Sequence, residues 1–200
     1  MPAAAGRDDR RASVPVVLQA TDAGGDRVEG SGMSQMPGDR DGSMAEVLAR
    51  LEAGASVEAE ELEGLFVFEH DGFGTRTLGL VWDRISLEAV HAHLEVDERH
   101  HQPYGIVHGG VWCAVVESMA SIAAALQVAA SGRFVVGVSN STDFLRSHRQ
   151  GRIDAVATPI HVGRSQQLWQ AVLSRASDGA AVARGQVRLA NVDPQQVGSA

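Results

Sequence analysis

The stretch from His101 to Ser121, HQPYGIVHGGVWCAVVESMAS, holds the residues whose types and spacing suit chemistry. Gly109 and Gly110 stand just ahead of an apolar run. A helix beginning there presents its first amide N–H groups without intrahelical partners, at the positive end of its dipole. Glycine leaves this backbone open to close approach. Such a place suits a carbonyl oxygen on which negative charge develops, the work of an oxyanion hole. Glu117 follows about two turns later and is the only charged residue between His108 and Arg133. On a helical wheel Glu117, Ser118 and Ser121 fall within about 100°. A lone carboxylate in apolar surroundings is costly unless partnered, and ionisable groups in such surroundings gather at functional sites. Bonding a neighbouring loop would be the purely structural use of the same group.

The elements around this stretch follow from periodicity. Met44 to Leu51 reads as a short amphipathic helix. Gly64 to Val67, Thr77 to Ser86 and Leu87 to Val96 read as strands, followed by a loop rich in His, Pro and Gly, then a helix from about Gly110 to Ala130. Four more strands are expected near Phe134 to Phe144, Ile153 to Val162, Gln166 to Ser177 and Ala180 to Asn191. In the last, Ala181, Ala183, Val187 and Leu189 face one way, and Val182, Arg184, Gln186 and Arg188 the other. Ser177-Asp178-Gly179 supplies turn chemistry for a final hairpin. A sheet must cover one face, and the single long helix is the only element large enough to do so. The expected class is α+β, an antiparallel sheet around one helix. Residues 1–43, rich in Gly, Asp, Arg and Ser, read as a disordered tail; 44–63 as a helical lead-in; 64–192 as the folded domain; 193–200 as a flexible end. Met33, Met36 and Met44 each offer a later natural start.

Composition narrows the classes. A length of 200 residues suits one domain. Aromatics make up only 4%, so Ala, Val, Leu and Gly must fill the core. The net charge of −8 argues against nonspecific nucleic-acid binding, although a few placed arginines can still hold an anion. The one cysteine, Cys113, makes no internal disulfide, which fits a reducing cytoplasm. It reads as a small buried hydrophobe. Arg10 and Arg11 precede an apolar run too short for an export signal and broken by Pro15. Gly109 to Gly132 is long enough to span a bilayer, but its many small residues and the mid-span Glu117 favour a helix buried in a soluble protein. His91 and His93 share a strand face without further ligands, so no metal is expected.

Gln102, Gly105, His108, Gly109, Gly110 and Glu117 together resemble the acyl-CoA thioesterases of the hotdog superfamily, in the branch of hydroxybenzoyl-CoA, dihydroxynaphthoyl-CoA and phenylacetate-pathway thioesterases. The resemblance runs over about residues 76–192. It implies a hotdog fold and hydrolysis of an aryl- or medium-chain acyl-CoA, with Glu117 as nucleophile or general base. It implies that the Gly110 amide polarises the thioester carbonyl, that Gln102 and His108 orient thioester or water, and that Ser121 assists Glu117. It also implies a homodimer or homotetramer, with the loop of one chain facing the helix of another. His161, Gly163, Arg164 and Ser165 resemble the family's His-x-Gly-Arg segment beside the coenzyme A phosphates, and Arg146 is a similar candidate. Gly109 belongs with the substrate-binding set, and Asn140 and Thr142 are expected to line the acyl pocket. No cofactor is implied, because the coenzyme A thioester is the substrate.

Two alternatives stand beside hydrolysis. Hotdog dehydratases and hydratases also pair a loop histidine with an acidic helix residue, but the carrier-protein dehydratases tend to show Pro-Gly at the helix start where this chain has His-Gly-Gly. A noncatalytic acyl-CoA-binding module would gain by replacing the lone carboxylate with an apolar group.

Overall fold

The computed structural model describes residues 43–62 and 72–194. The strand expected at Gly64–Val67, nearly all of the N-terminal tail and the last six residues lie outside that range. In chain order the elements are α1 (Ser43–Glu52), β1 (Val57–Glu58), α2 (Ala59–Leu62), a π-helical segment (Gly72–Leu78), β2 (Leu80–Ile85) and β3 (Val90–Val96). A 3-10 turn (Glu98–His100), α3 (Gly109–Ala129), β4 (Phe134–Phe144), β5 (Gly151–Val162), β6 (Gln166–Arg175) and β7 (Ala181–Val192) follow. The seven strands form one antiparallel sheet in the order β1-β2-β3-β5-β6-β7-β4.

The sheet packs β3 to β7 against α3, which is the hotdog arrangement of the α+β class. On β3 the alternation is plain: Val90, Ala92, Leu94 and Val96 are buried, while His91, His93 and Glu95 point away. Trp112, Val115, Val116, Met119, Ala120, Ala123, Ala124, Leu126 and Val128 form the broad buried side of α3, and its remaining side is only partly covered. Trp169, Leu173 and Leu189 meet them from the sheet, fully buried, and each such side chain contributes about 2 kcal/mol of transfer free energy. By length and composition α3 could cross a membrane; here the sheet takes up its apolar surface. Val47 and Leu51 of α1 close the core at the β1 side.

Several boundaries differ from expectation. Thr77 and Leu78 end the π-helical segment, held by the Thr77 hydroxyl on the Gly72 carbonyl (3.0 Å), and β2 starts only after Gly79, whose φ of +79° breaks the chain direction. Leu87 belongs to a tight hairpin turn in which the Ser86 hydroxyl accepts from the Glu88 and Ala89 amides, so β3 starts at Val90. β6 stops at Arg175, where Asp178 caps the turn by accepting from the Ala180 amide (3.0 Å) and the Arg175 guanidinium. Val182, expected to face out with Arg184, is buried, because a bulge opposite Leu173 and Ser174 turns it inward.

β4 is the sheet's edge and is unlike the other strands: Val136, Val138 and Phe144 on it, and Leu145 just after, are all 43% or more exposed. A second bulge, at Val138, separates the pairs Gly137–Leu189 and Ser139–Arg188. Strict alternation would put Gly137 and Asn140 on opposite faces; the extra residue puts both on the helix side.

Candidate functional site

Glu117 sits mid-way along α3 on its half-buried side, facing β4. Asn140 donates from Nδ2 to Glu117 Oε2 (2.9 Å) and to the Cys113 carbonyl (3.0 Å). The Thr142 hydroxyl donates to Asn140 Oδ1 (2.7 Å). Ser121, one turn beyond Glu117, donates to Oε1 at 3.4 Å, a long and weak bond. Gly137 completes the surroundings: a Cβ there would stand 2.7 Å from Glu117 Oε1. Sequence reasoning missed Gly137, although a single glycine inside a strand pattern signals a bulge or a close approach.

The loop residues gather at the other end of the site. His108 is the N-cap of α3, and its Nδ1 accepts from the Gly110 amide at 2.9 Å. The Gly110 amide expected to face a substrate carbonyl is therefore engaged, for the ordinary reason that an N-cap side chain satisfies a first-turn N–H. With Nδ1 accepting, the neutral ring carries its proton on Nε2. Gln102 Oε1 accepts from the Tyr104 amide (2.9 Å), leaving its NH2 for a ligand. Gln102, Gly109, Trp112, Phe144, Arg146 and His148 line an open cleft of about 300 Å³. A Cβ at Gly109 would stand 2.5 Å from the exposed Phe144 ring, which would have to swing aside. Arg149 and His148, not singled out from the sequence, hold the loop in place: Arg149 donates to the Gly105 carbonyl (2.8 Å), and the Val107 amide to the His148 carbonyl (2.9 Å). Their signal would have been a tight basic run, Arg146 to Arg152, beside a glycine-rich loop.

The structure does not bring Glu117 into the loop's cleft. His108 and Glu117 are nine positions apart on one helix, hence about 13 Å along its axis. Nor does it join the two arginine candidates. Arg146 donates to the Ala181 carbonyl (2.7 Å) at the start of β7, whereas the turn His161–Ser165 is tied to Asn191 near its end. In that turn Asn191 Nδ2 donates to the Gly163 and Arg164 carbonyls and Arg133 to the Arg164 carbonyl, leaving the His161, Arg164 and Ser165 side chains exposed. The two ends of β7 lie about 30 Å apart.

His93 bonds Asp83 (2.7 Å) and His91 lies against Arg84 (2.9 Å) on the outer sheet face; burial, aided by Arg84, pushes His91 below its ordinary pKa. Among the described residues no three His, Cys, Asp or Glu side chains gather as metal ligands. Cys113, expected to be buried, is half-exposed, because it lies on the side of α3 that turns toward the sheet edge.

The sequence profile of the thioesterase superfamily matches residues 104–182. The candidate esterase Rv1847 of Mycobacterium tuberculosis is 45% identical over 118 residues, covering 58% of this chain and 84% of its own. The proofreading thioesterase EntH of Cronobacter sakazakii is 38% identical over 96 residues, 48% of this chain and 69% of that one. Among solved structures, the thioesterase HI1161 of Haemophilus influenzae superposes with a TM-score of 0.61 at 30% identity, covering 66% of this chain and 91% of that chain. With fold and relatives in agreement, the chain belongs to the thioesterase superfamily and is a hotdog-fold thioester hydrolase.

Proposed function

We propose that the protein hydrolyses an aryl- or medium-chain acyl-CoA to the free acid and coenzyme A, in the cytoplasm, at sites shared between subunits of a homodimer or homotetramer. One observation carries this reading: the carboxylate of Glu117 is held half-open beside an exposed edge strand, about 13 Å along the helix from the Gln102 and His108 loop of the same chain. A single substrate carbon cannot touch both. A second copy pairing along β4 would cover Val136, Val138 and Phe144 and supply its loop to the Glu117 of its neighbour.

In the shared site the thioester oxygen takes the place of His108 Nδ1 at the Gly110 amide, with the Gln102 NH2 as a second donor. Glu117 then either adds to the carbonyl carbon or takes a proton from the water that does. The tetrahedral intermediate collapses with breakage of the C–S bond, and the coenzyme A thiolate leaves. In the covalent route, water then hydrolyses the acyl-enzyme anhydride. Arg146 and the His161–Ser165 turn each offer an anion site, and the roughly 30 Å between them means that one coenzyme A uses only one of them per subunit.

The test is free-thiol release from a panel of aryl-, short- and medium-chain acyl-CoAs. Glu117→Gln should lower kcat by at least about 100-fold while binding persists. Mixing Glu117→Gln with Gln102→Ala subunits should restore part of the activity, since every mixed dimer then carries one intact site. No release by the wild-type protein, with acyl-CoA binding intact, would replace hydrolysis by the dehydratase or binding-module reading.

A further inference from the structure

We infer that Asn140 is a positioning residue for Glu117, and that Thr142 acts through it. This rests on the catalytic reading of Glu117.

The hydrogen bonds settle which way the Asn140 amide points. Its inner atom lies 3.0 Å from the Cys113 carbonyl and 2.9 Å from Glu117 Oε2. Both are acceptors, so the atom between them is nitrogen. Oδ1 therefore faces Thr142, whose hydroxyl donates to it at 2.7 Å. Both N–H bonds of Asn140 are spent on its own chain, so its amide is not a donor for the acyl group. What it does is fix one carboxylate oxygen. Oε2 is bound to Asn140, while Oε1 has only the long bond from Ser121 and looks onto the bare backbone of Gly137. Oε1 is thus the oxygen left for the thioester carbon or the water.

The strands are shaped around this arrangement. The bulge at Val138 puts Gly137 and Asn140 on one face. Across from Thr142 stands Gly185 of β7, where a Cβ would lie 2.6 Å from the Thr142 hydroxyl and 2.7 Å from Val116. The neighbouring charges of β4 and β7, Asp143 and Arg184, pair with each other at 3.9 Å. Glu117 is left to Asn140.

The competing uses of Asn140 are a brace joining β4 to α3 through the Cys113 carbonyl, and a wall of the acyl pocket. Steady-state kinetics separate the three. If Asn140 positions Glu117, Asn140→Ala lowers kcat about 10- to 100-fold, the range set by losing one hydrogen bond to a charged group, with KM changed less than about 2-fold. Thr142→Val keeps volume and strand preference while removing the hydroxyl; it should lower kcat by a smaller factor, about 3- to 10-fold, with KM and melting temperature unchanged. It also decides the matter if Asn140→Ala fails to fold. A raised KM with kcat intact would make Asn140 a pocket wall, and a lowered melting temperature with both constants intact would make it a brace; either overturns the inference. Glu117→Gln, assayed alongside, tells the two failures apart: full activity there would sink the catalytic reading itself.

Discussion

Asn140 on β4 and Gln167 on β6 begin by doing the same thing: each donates its NH2 to a carbonyl of α3, Cys113 and Ala124 respectively, both at 3.0 Å. They differ in where the remaining bonds go. Gln167 is 1% exposed; it donates also to Asn191 Oδ1 (2.8 Å) and accepts from the Trp169 indole (2.8 Å). Every group in that network is neutral and satisfied, the condition under which a buried polar cluster rigidifies a core. Asn140, on the sheet edge, gives its second hydrogen to a carboxylate. The same helix–strand latch stabilises the fold where a strand is enclosed, and holds a charge within reach of a ligand where the strand is an edge.

The largest effect should come from the enclosed latch. Gln167→Leu leaves the Trp169 N–H without an acceptor in the core and should lower stability by about 3 kcal/mol, read as a fall in the urea midpoint without change in slope. Adding Trp169→Phe removes the stranded donor, so the double variant should lose less than the sum of the two single changes. Activity per folded molecule should stay near wild type. A Gln167→Leu protein that is stable but slow would erase the contrast between the two latches.

Gly137→Ala probes the edge latch with the smallest possible addition. The new methyl would crowd Glu117 Oε1, 2.7 Å from the ideal Cβ position. The crowded atom is the end of a flexible side chain, so the carboxylate yields rather than the backbone. Stability should change by less than about 1 kcal/mol, while kcat falls about 10-fold because the reacting oxygen is displaced. Loss of stability without loss of rate would show that Gly137 serves the bulge alone.

Much of this was legible in the sequence, for reasons that differ by region. α3 could be read because a run of small and apolar residues whose one charge is Glu117 admits few interpretations, and β7 because Val187 and Leu189 alternate with Arg184, Gln186 and Arg188. The π-helical start before β2 and the inward turn of Val182 were not, since both arise from backbone irregularities that side-chain period does not encode. Glu117 and Ser121 were legible as one helix face. The partner of that carboxylate was hidden: Asn140 meets it 23 positions away, through a bulge at which Gly137 hints but which side-chain alternation does not place. The Gly110 amide was legible as a donor at the helix start, whereas its engagement by His108, the cap two residues before, was not.

The outer sheet face gives the weakest test, a third polar cluster with neither enclosure nor a site. His91 titrates below its ordinary 6.5, first because it is partly buried and then because Arg84 repels its charged form, with Asp83 and Glu58 opposing. Since the folded value is depressed, the contribution to stability is present above the unfolded value and is lost as pH falls through the folded one. His91 is only partly buried, so solvent screening holds the effect to a few tenths of a kcal/mol. Urea midpoints taken at about pH 7.5 and about pH 5 should therefore differ slightly less in His91→Asn than in wild type, with no change in kcat. An equal pH dependence in the two proteins would assign the acid sensitivity elsewhere. A change in kcat would mean that the outer face is coupled to the Glu117 site, which the bonding of His91 to Arg84 alone gives no reason to expect.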